Sequence, residues 1–245
     1  MAETYRTGRW LVHKRDSVDS TRNRVREGVS SLPDLSVVTA RIQTEGRGRL
    51  GRIWVSPVGG LYFSILMKPS PPSEFAPCVS LLCSLILCRE MEEQGFSPEL
   101  KWPNDVILQG KKVAGVLAEC GSSPCSWFSM GMGVNLNSVP DVPGRTHLPA
   151  GSWNTELGAE ELLNRLLNRL DARWPDRNTN PLSGVVKDVS QRLWKLGEEV
   201  TITGAGEQIK GIVEGIGETG ALILSTDSGE RRFVSGELLT VQDES

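Results

Sequence analysis

The chain has 245 residues, of which 38% are hydrophobic and 23% are charged, as is typical of a water-soluble globular protein. Its net charge of −3 gives no general support for nucleic-acid binding, and no apolar run is long enough to span a membrane. Five cysteines, an odd number, and an N-terminus without the apolar core of a signal peptide predict a cytoplasmic protein with free thiols.

The first predicted helix is short and runs from Arg22 to Glu27, directly after Ser20 and Thr21. Hydroxyl side chains at such a position cap the free N–H groups of a helix, but they also suit a ligand, and both interpretations remain open. Two predicted strands follow, Ser36–Ile42 and Leu61–Met67, because β-branched or alternating apolar residues fill both runs.

The segment between these two strands is the most informative part of the chain. Residues 46–52 read G-R-G-R-L-G-R, and Trp54 follows. Glycines let a loop turn its N–H groups toward a ligand, and arginines match phosphate and carboxylate oxygens, so the segment predicts an anion-binding loop. The G-x-G-x-x-G pattern also occurs in dinucleotide-binding proteins, but there a helix follows, whereas here Pro57 and Gly59–Gly60 exclude one. A kinase loop is excluded because no H-R-D or D-F-G element follows.

Further elements are predicted from apolar periodicity and turn residues. They are a core helix Ala76–Glu93 ending at Gly95, a hairpin of Val106–Leu108 and Val113–Glu119 with Lys111 and Lys112 at its bend, a strand Ser126–Asn135, and helices Glu160–Trp174 and Leu182–Leu196. From Gly197 onward, short strands separated by glycine turns, the last of them Leu238–Val241, predict a small β-barrel. The predicted domains are therefore residues 1–196 and 197–245.

The chemistry suggested by these motifs is the activation of a carboxylate by ATP. A carboxylate resists attack by an amine, and forming a mixed anhydride with AMP removes that obstacle. The step brings two anions together, which requires cations such as Arg47, Arg49, Arg52 and Lys112. Asp105, in the run K-W-P-N-D, would orient or deprotonate the amine, although a structural cap at Asp105 and a solvated lysine at Lys112 are the alternatives. The cysteine spacings match no metal site, so no metal ligands are predicted.

At this point the motifs resemble the biotin protein ligases. The blocks G-R-G-R-x-G-R-x-W-x-S-P, L-Y-F-S, K-W-P-N-D, K-x-A-G-x-L-x-E and G-x-G-x-N occur in the order found in that family. The resemblance implies an α/β (α+β) fold, with a seven-stranded mixed-sheet biotin/lipoate ligase-like catalytic domain followed by an SH3-like barrel. It also implies that biotin and ATP, with Mg²⁺, form biotinyl-adenylate, and that biotin is then transferred to a lysine of a biotin carboxyl carrier protein domain.

The resemblance also assigns roles to individual residues. The biotin-binding residues would be Ser20, Thr21, Gln43, Arg47, Gly48, Arg49, Lys112, Gly115 and Gly131. The ATP-binding residues would be Arg47, Arg49, Arg52, Trp54, Asn104, Lys112 and Asn135. The catalytic residues would be Lys112, Arg49 and Asp105. The family often has Asn directly after Ser-Thr, where this chain has Arg22, so a ligand role for Arg22 is not assigned.

Some relatives carry an N-terminal helix-turn-helix, for which the nineteen residues before Ser20 leave no room. We therefore expect no DNA binding and no membrane partner, and either a monomer or a homodimer. Two alternatives are a lipoate or octanoate ligase or transferase, which shares the fold class, and a biotin-binding or regulatory module that has lost catalysis. The complete arginine loop and the K-W-P-N-D block favour biotin, and Lys112, Arg49 and Asp105 favour an enzyme.

Overall fold

The computed structural model describes residues 3–142, 148–204 and 207–239. The larger of its two sheets consists of β1 (Glu3–Thr7), β2 (Trp10–Val18), β3 (Ser36–Gln43), β4 (Gly60–Met67), β5 (Glu99–Lys101), β6 (Asp105–Leu108), β7 (Lys111–Gly121) and β8 (Trp127–Asn135). The spatial order is β1-β2-β3-β4-β8-β7-β6-β5. Only β2 and β3 are parallel, so the sheet is mixed, as predicted.

This sheet has eight strands among the described residues, so the expected number of seven is wrong. Strands β1 and β2 were not predicted, because polar and charged residues obscure the alternation of a strand there. Trp10 and Val12 are nevertheless fully buried, and Gly8, with φ +53°, allows the tight turn between the two strands.

The helices are α1 (Thr21–Glu27), α2 (Ala76–Glu93), α3 (Ala159–Arg173) and α4 (Val186–Ser190). The bounds of α2 agree with the predicted bounds, and most of its residues are buried against the sheet. One side of α3 is a buried leucine stripe, which packs into the same core. These two helices support the sheet from behind the strands that carry the candidate site.

The predicted helix Leu182–Leu196 is wrong in extent, because only α4 is α-helical there. Gly184 and Lys195 have positive φ angles, which interrupt a helix. After α4 the backbone pairs instead with β5: Leu100 N–H donates to the Arg192 carbonyl and Trp194 N–H to the Leu100 carbonyl. Tertiary pairing therefore replaces the last helical turns.

The second sheet is antiparallel and consists of β9 (Glu199–Gly204), β10 (Glu207–Ile216), β11 (Leu222–Thr226), β12 (Gly229–Phe233) and β13 (Glu237–Leu239). Its order is β12-β11-β10-β9-β13, and among the described residues no pairing of β12 with β13 closes it into a barrel. The end of the predicted strand Leu238–Val241 lies outside the described residues. Val200 and Leu222 are fully buried and belong to the same apolar cluster as α2, so the two sheets share a core.

Candidate active site

A pocket of about 330 Å³ lies between the glycine loop, strands β7 and β8, and β13. Every residue to which the sequence analysis gave a ligand or catalytic role lines it: Ser20, Thr21, Gln43, Arg47, Gly48, Arg49, Arg52, Trp54, Asn104, Asp105, Lys112, Gly115, Gly131 and Asn135. The fold thus brings together residues that are up to more than one hundred positions apart in the sequence. Their individual roles stay predictions.

Three glycines on adjacent strands form one wall of the pocket. Gly115 and Gly133 are cross-strand partners, and Gly131 pairs with Leu117. A Cβ on Gly133 would lie 2.4 Å from the Trp54 indole nitrogen, and one on Gly115 would lie 3.3 Å from the same ring. The missing side chains therefore leave room for a flat group, and in this structure the Trp54 ring fills that room.

One end of the pocket is lined by neutral hydrogen-bonding groups. The Thr21 hydroxyl lies 2.9 Å from the Ser64 hydroxyl and donates to the Gln43 amide oxygen at 3.1 Å. The Gln43 amide nitrogen donates to Ser56 Oγ at 2.8 Å. Ser20 is buried and occupies the N-cap position of α1, but its side chain makes no capping hydrogen bond, so the capping interpretation is wrong.

The glycine loop forms a narrow hairpin over the pocket. Gly48 N–H donates to the Arg52 carbonyl at 2.8 Å, and Arg47 and Ile53 form an antiparallel β-bridge through their backbones. Leu50, at the tip, has φ +56° and is 82% exposed. The loop therefore presents an exposed tip and places arginines on both of its arms.

Two loop arginines contact the C-terminal sheet. Arg52 donates to both carboxylate oxygens of Glu237, one of them at 2.6 Å. Arg49 donates to the Asn104 side-chain oxygen at 3.3 Å and to the Gly236 carbonyl at 3.4 Å. Burial lowers the pKa of Arg49, whereas the hydrogen bond to Glu237 raises the pKa of Arg52. Both guanidinium groups stay protonated at neutral pH, because arginine titrates far above it.

Lys112 is the second residue of β7, just past the predicted bend. Its ammonium lies 2.7 Å from an Asp105 carboxylate oxygen and 5.4 Å from the centre of the Trp54 ring. The other Asp105 oxygen is buried without a hydrogen-bond partner among the described residues. The lysine is therefore held in the middle of the pocket, with a carboxylate beside it that has capacity for another donor.

Asn104 and Asn135 connect the pocket to neighbouring backbone. The Asn104 amide donates to the Val116 carbonyl at 2.8 Å, and the Asn135 amide donates to the Gly151 carbonyl at 2.9 Å. Because the Asn135 side-chain oxygen is buried and unpartnered within the described part of the chain, it remains available to accept a ligand hydrogen bond.

Several residues that line the pocket were not predicted from the sequence. Gly133 was in the G-x-G-x-N block, and Arg22 was left unassigned although it lines the pocket and forms an ion pair with Glu119. Gly236 and Glu237 gave no local signal, since only the docking of the second sheet brings them to the loop.

The pocket is thus neutral at one end and cationic at the other, with a lysine–carboxylate pair between. Such an arrangement, on a mixed sheet with a small antiparallel domain beside it, defines a ligase that joins a carboxylate to a nucleotide phosphate.

Comparisons with known proteins agree with this class. Residues 12–135 match the model of the Biotin/lipoate A/B protein ligase family, and residues 195–238 match the Biotin protein ligase C terminal domain. The biotin--[acetyl-CoA-carboxylase] ligase of Paracoccus denitrificans is 34% identical over 90% of this chain and 96% of its own. The structure of the Aquifex aeolicus biotin protein ligase in complex with biotin and ATP has a TM-score of 0.76, is 31% identical, and covers 93% of this chain and 97% of that one. The chain therefore belongs to the biotin/lipoate protein ligase family, as a biotin protein ligase.

The bifunctional ligase/repressor BirA of Bacillus subtilis is 27% identical over 94% of this chain but only 74% of its own length. Within residues 3–142, 148–204 and 207–239, no helix is both long and apolar enough to cross a bilayer.

Proposed function

We propose that the protein activates biotin with ATP to form biotinyl-5′-adenylate and then transfers biotin to a lysine of a biotin carboxyl carrier protein domain. The observation that carries the proposal is a pocket in which Lys112 lies between a neutral end and the arginine loop. Biotin has one neutral hydrogen-bonding ring and one carboxylate, which match the neutral end and the lysine respectively.

In the first half-reaction, a carboxylate oxygen of biotin forms a bond to the α-phosphorus of ATP. The bond from that phosphorus to the β-bridging oxygen breaks, and pyrophosphate leaves with the electron pair. Lys112 is expected to lie against both the biotin carboxylate and the α-phosphate, while Arg49 and Arg52 offset charge on the phosphates. Trp54 is expected to leave the glycine wall and pack on the adenylate.

In the second half-reaction, the uncharged amine of the carrier lysine adds to the acyl carbon. The acyl–oxygen bond to AMP breaks, AMP leaves, and the amine loses a proton. Asp105 is proposed as the base for that proton, because its carboxylate lies 2.7 Å from the Lys112 ammonium and its other oxygen has no hydrogen-bond partner among the described residues.

Magnesium would enter with the nucleotide. Among the described residues, no three His, Cys, Asp or Glu side chains form a metal-binding group. Magnesium at nucleotide sites is held largely by phosphate oxygens and water with one or two carboxylates, and Asp105 is a carboxylate suited to that part. When bound, the ion would offset charge on the phosphates.

We also propose that residues 1–196 form the catalytic domain and residues 197–245 a C-terminal domain that closes over the nucleotide. Contacts of Arg49 with Gly236 and of Arg52 with Glu237 support this role. The five free cysteines support a reducing compartment such as the cytoplasm.

The test is to incubate the protein with biotin, ATP, Mg²⁺ and a carrier domain, and to measure the mass of the carrier. We expect a gain of one biotinyl group, which requires ATP and is absent from a carrier whose acceptor lysine is arginine. Equal transfer of lipoate or octanoate would favour the alternative ligase. Biotin binding without pyrophosphate release would identify a non-catalytic module.

A further inference from the structure

Exposed apolar side chains are concentrated around the mouth of the pocket. Within residues 3–142, 148–204 and 207–239, seven large apolar residues are exposed, and five of them lie on segments that border the mouth: Leu50, Ile53, Val58, Val139 and Val234. These five residues, which we call the apolar rim, are 50% to 82% exposed. The other two, Leu196 and Ile212, do not line the pocket and lie on neither the glycine loop nor the segment after β8.

One side of the apolar rim comes from the glycine loop and the second sheet. Leu50 and Ile53 line the pocket directly. Val234 lies two residues before Gly236, whose carbonyl accepts a hydrogen bond from Arg49 of the glycine loop at 3.4 Å. The link between β12 and β13 is therefore held beside the loop, and Val234 stands next to the opening.

The other side of the apolar rim comes from the segment that follows β8. Val139 directly precedes Pro140, which lines the pocket. Val58 belongs to the same side, because the neighbouring Gly59 carbonyl accepts a hydrogen bond from Asn137 N–H at 2.8 Å. The rim thus combines three separate parts of the chain that only the fold brings together.

The charged side chains around the apolar rim are compensated within the chain. Three arginines of the glycine loop and β12 each form an ion pair with a carboxylate: Arg47 with Glu45, Arg52 with Glu237, and Arg232 with Glu230. The surface around the mouth therefore offers a partner apolar contact rather than a strong field of one sign.

The position of the apolar rim determines which kind of partner it fits. Single exposed apolar residues need no explanation, but a group that borders one opening indicates an interaction site. Val58, Val139 and Val234 do not line the pocket, so a small ligand enclosed there has no use for them. In the second half-reaction, however, a lysine of another protein must reach Asp105, and its four-carbon stem is short enough that the partner's backbone must come to the mouth.

We propose that the apolar rim is the docking surface for the carrier domain, and that it contacts an apolar flank beside the acceptor lysine. The inference rests on the proposed function, because it requires a protein substrate for the second half-reaction. It separates two tasks: the pocket activates biotin, and the rim selects the protein that receives it.

The test compares a protein acceptor with a small one. Val139→Ser and Val234→Ser are made singly and together in the full-length protein, and Ile212→Ser is the matched control, because Ile212 is an exposed apolar residue of β10 that does not line the pocket. For each protein, kcat/KM is measured with the carrier domain and, separately, with hydroxylamine. Hydroxylamine forms its bond to the acyl carbon of biotinyl-adenylate through nitrogen, AMP leaves and a proton is lost, so this reaction needs no docking surface.

We expect each single variant to lower kcat/KM for the carrier about 5- to 30-fold, the order expected when one aliphatic side chain is lost from an interface. The reaction with hydroxylamine and the KM values for biotin and ATP should stay unchanged, which also shows that the variants are folded. Ile212→Ser should alter none of these values. For the unaltered protein, kcat/KM for the carrier should change by less than about 3-fold between low and physiological salt, because an apolar contact is not screened.

A double variant that biotinylates the carrier with the kcat/KM of the unaltered protein would overturn the inference. An equal loss with hydroxylamine would overturn it as well, since the rim would then act on the chemistry. A dimer that the double variant fails to form in sedimentation, with unaltered kcat/KM for the carrier, would identify the rim as a contact between two copies of the chain. Failure of the unaltered protein to release pyrophosphate from ATP in the presence of biotin would instead overturn the proposed function.

Discussion

Lys112 lies in a cluster of opposite charge and aromatic surface that a substrate must rearrange. Asp105 and the Trp54 ring both contact its ammonium, so the charge is already compensated before any anion arrives. A carboxylate and a phosphate that approach together would displace the Trp54 ring from the ammonium and share it with Asp105, because both carry negative charge. The residue proposed to act in the first chemical step is thus already held by Asp105 and Trp54 before substrate binds.

Replacing Lys112 by Met is expected to slow adenylate formation by roughly 10²–10³, the loss typical of one preorganised electrostatic donor. Transfer from preformed biotinyl-adenylate should be affected less, because that step no longer joins two anions. Lys112→Arg should rescue poorly, since a planar fork does not replace a compact charge. The two half-reactions are measured separately by pyrophosphate release and by carrier biotinylation.

Lys111→Met is the control for this variant, because Lys111 is the exposed neighbour on the same strand. It should leave both half-reactions unchanged. A Lys112→Met variant with normal adenylation and a collapsed transfer step would show that the ammonium serves the second step instead.

The glycine loop illustrates how much an element can be predicted from sequence. Its glycines, arginines and flanking strands predicted an anion-binding loop, and all three arginines line the pocket. What sequence did not predict is its partner: Gly236 and Glu237 follow the loop by more than 180 positions and meet it only after the second sheet has docked. The same limit applies to the predicted helix Leu182–Leu196, where pairing with Leu100 overrides local helical preference.

The loop is expected to become more resistant to protease when biotinyl-adenylate is bound. Arg47 and Arg52 are largely exposed, and like charges on a short hairpin repel one another until an anion arrives. Limited trypsin digestion would measure cleavage between Arg47 and Arg52 with and without the ligand. Cleavage at Arg26, exposed on α1, serves as the internal reference, and equal protection of both sites would contradict the expectation.

At the scale of the whole molecule, the two sheets are joined at both the core and the site. Trp102 of the K-W-P-N-D block donates its indole N–H to the Gly220 carbonyl at 2.9 Å, and the Cys78 thiol contacts the Glu218 carbonyl. Since Val200 and Leu222 belong to the common core, deletion of residues 197–245 would expose apolar surface as well as remove Glu237. Single substitutions at the Arg52–Glu237 contact therefore test the role of the second sheet without exposing this apolar surface, which a truncation would do.

The molecule as a whole is not expected to bind DNA with sequence preference. Its net charge is −3, which gives no general electrostatic attraction to a polyanion such as DNA. A gel shift at physiological salt with duplexes of different sequence tests this. A retarded band that depends on sequence and survives that salt concentration would refute it.

The contact between Glu237 and Arg52 should hold the loop against the second sheet when no nucleotide is present. Replacing Glu237 by Gln removes one charge of a pair whose side chains are 28% and 57% exposed, so the effect should be modest. We expect trypsin cleavage around Arg52 to become about 2- to 5-fold faster in the ligand-free protein, which corresponds to the usual range for an exposed ion pair.

Glu230→Gln is the control, because Glu230 lies on the same sheet, pairs only with the nearby Arg232 in the described structure, and does not line the pocket. With biotinyl-adenylate bound, the two variants should converge, since phosphate then takes the place of the carboxylate against Arg52. A Glu237→Gln variant that is cleaved at the rate of the unaltered protein would show that the second sheet contacts the loop without restraining it.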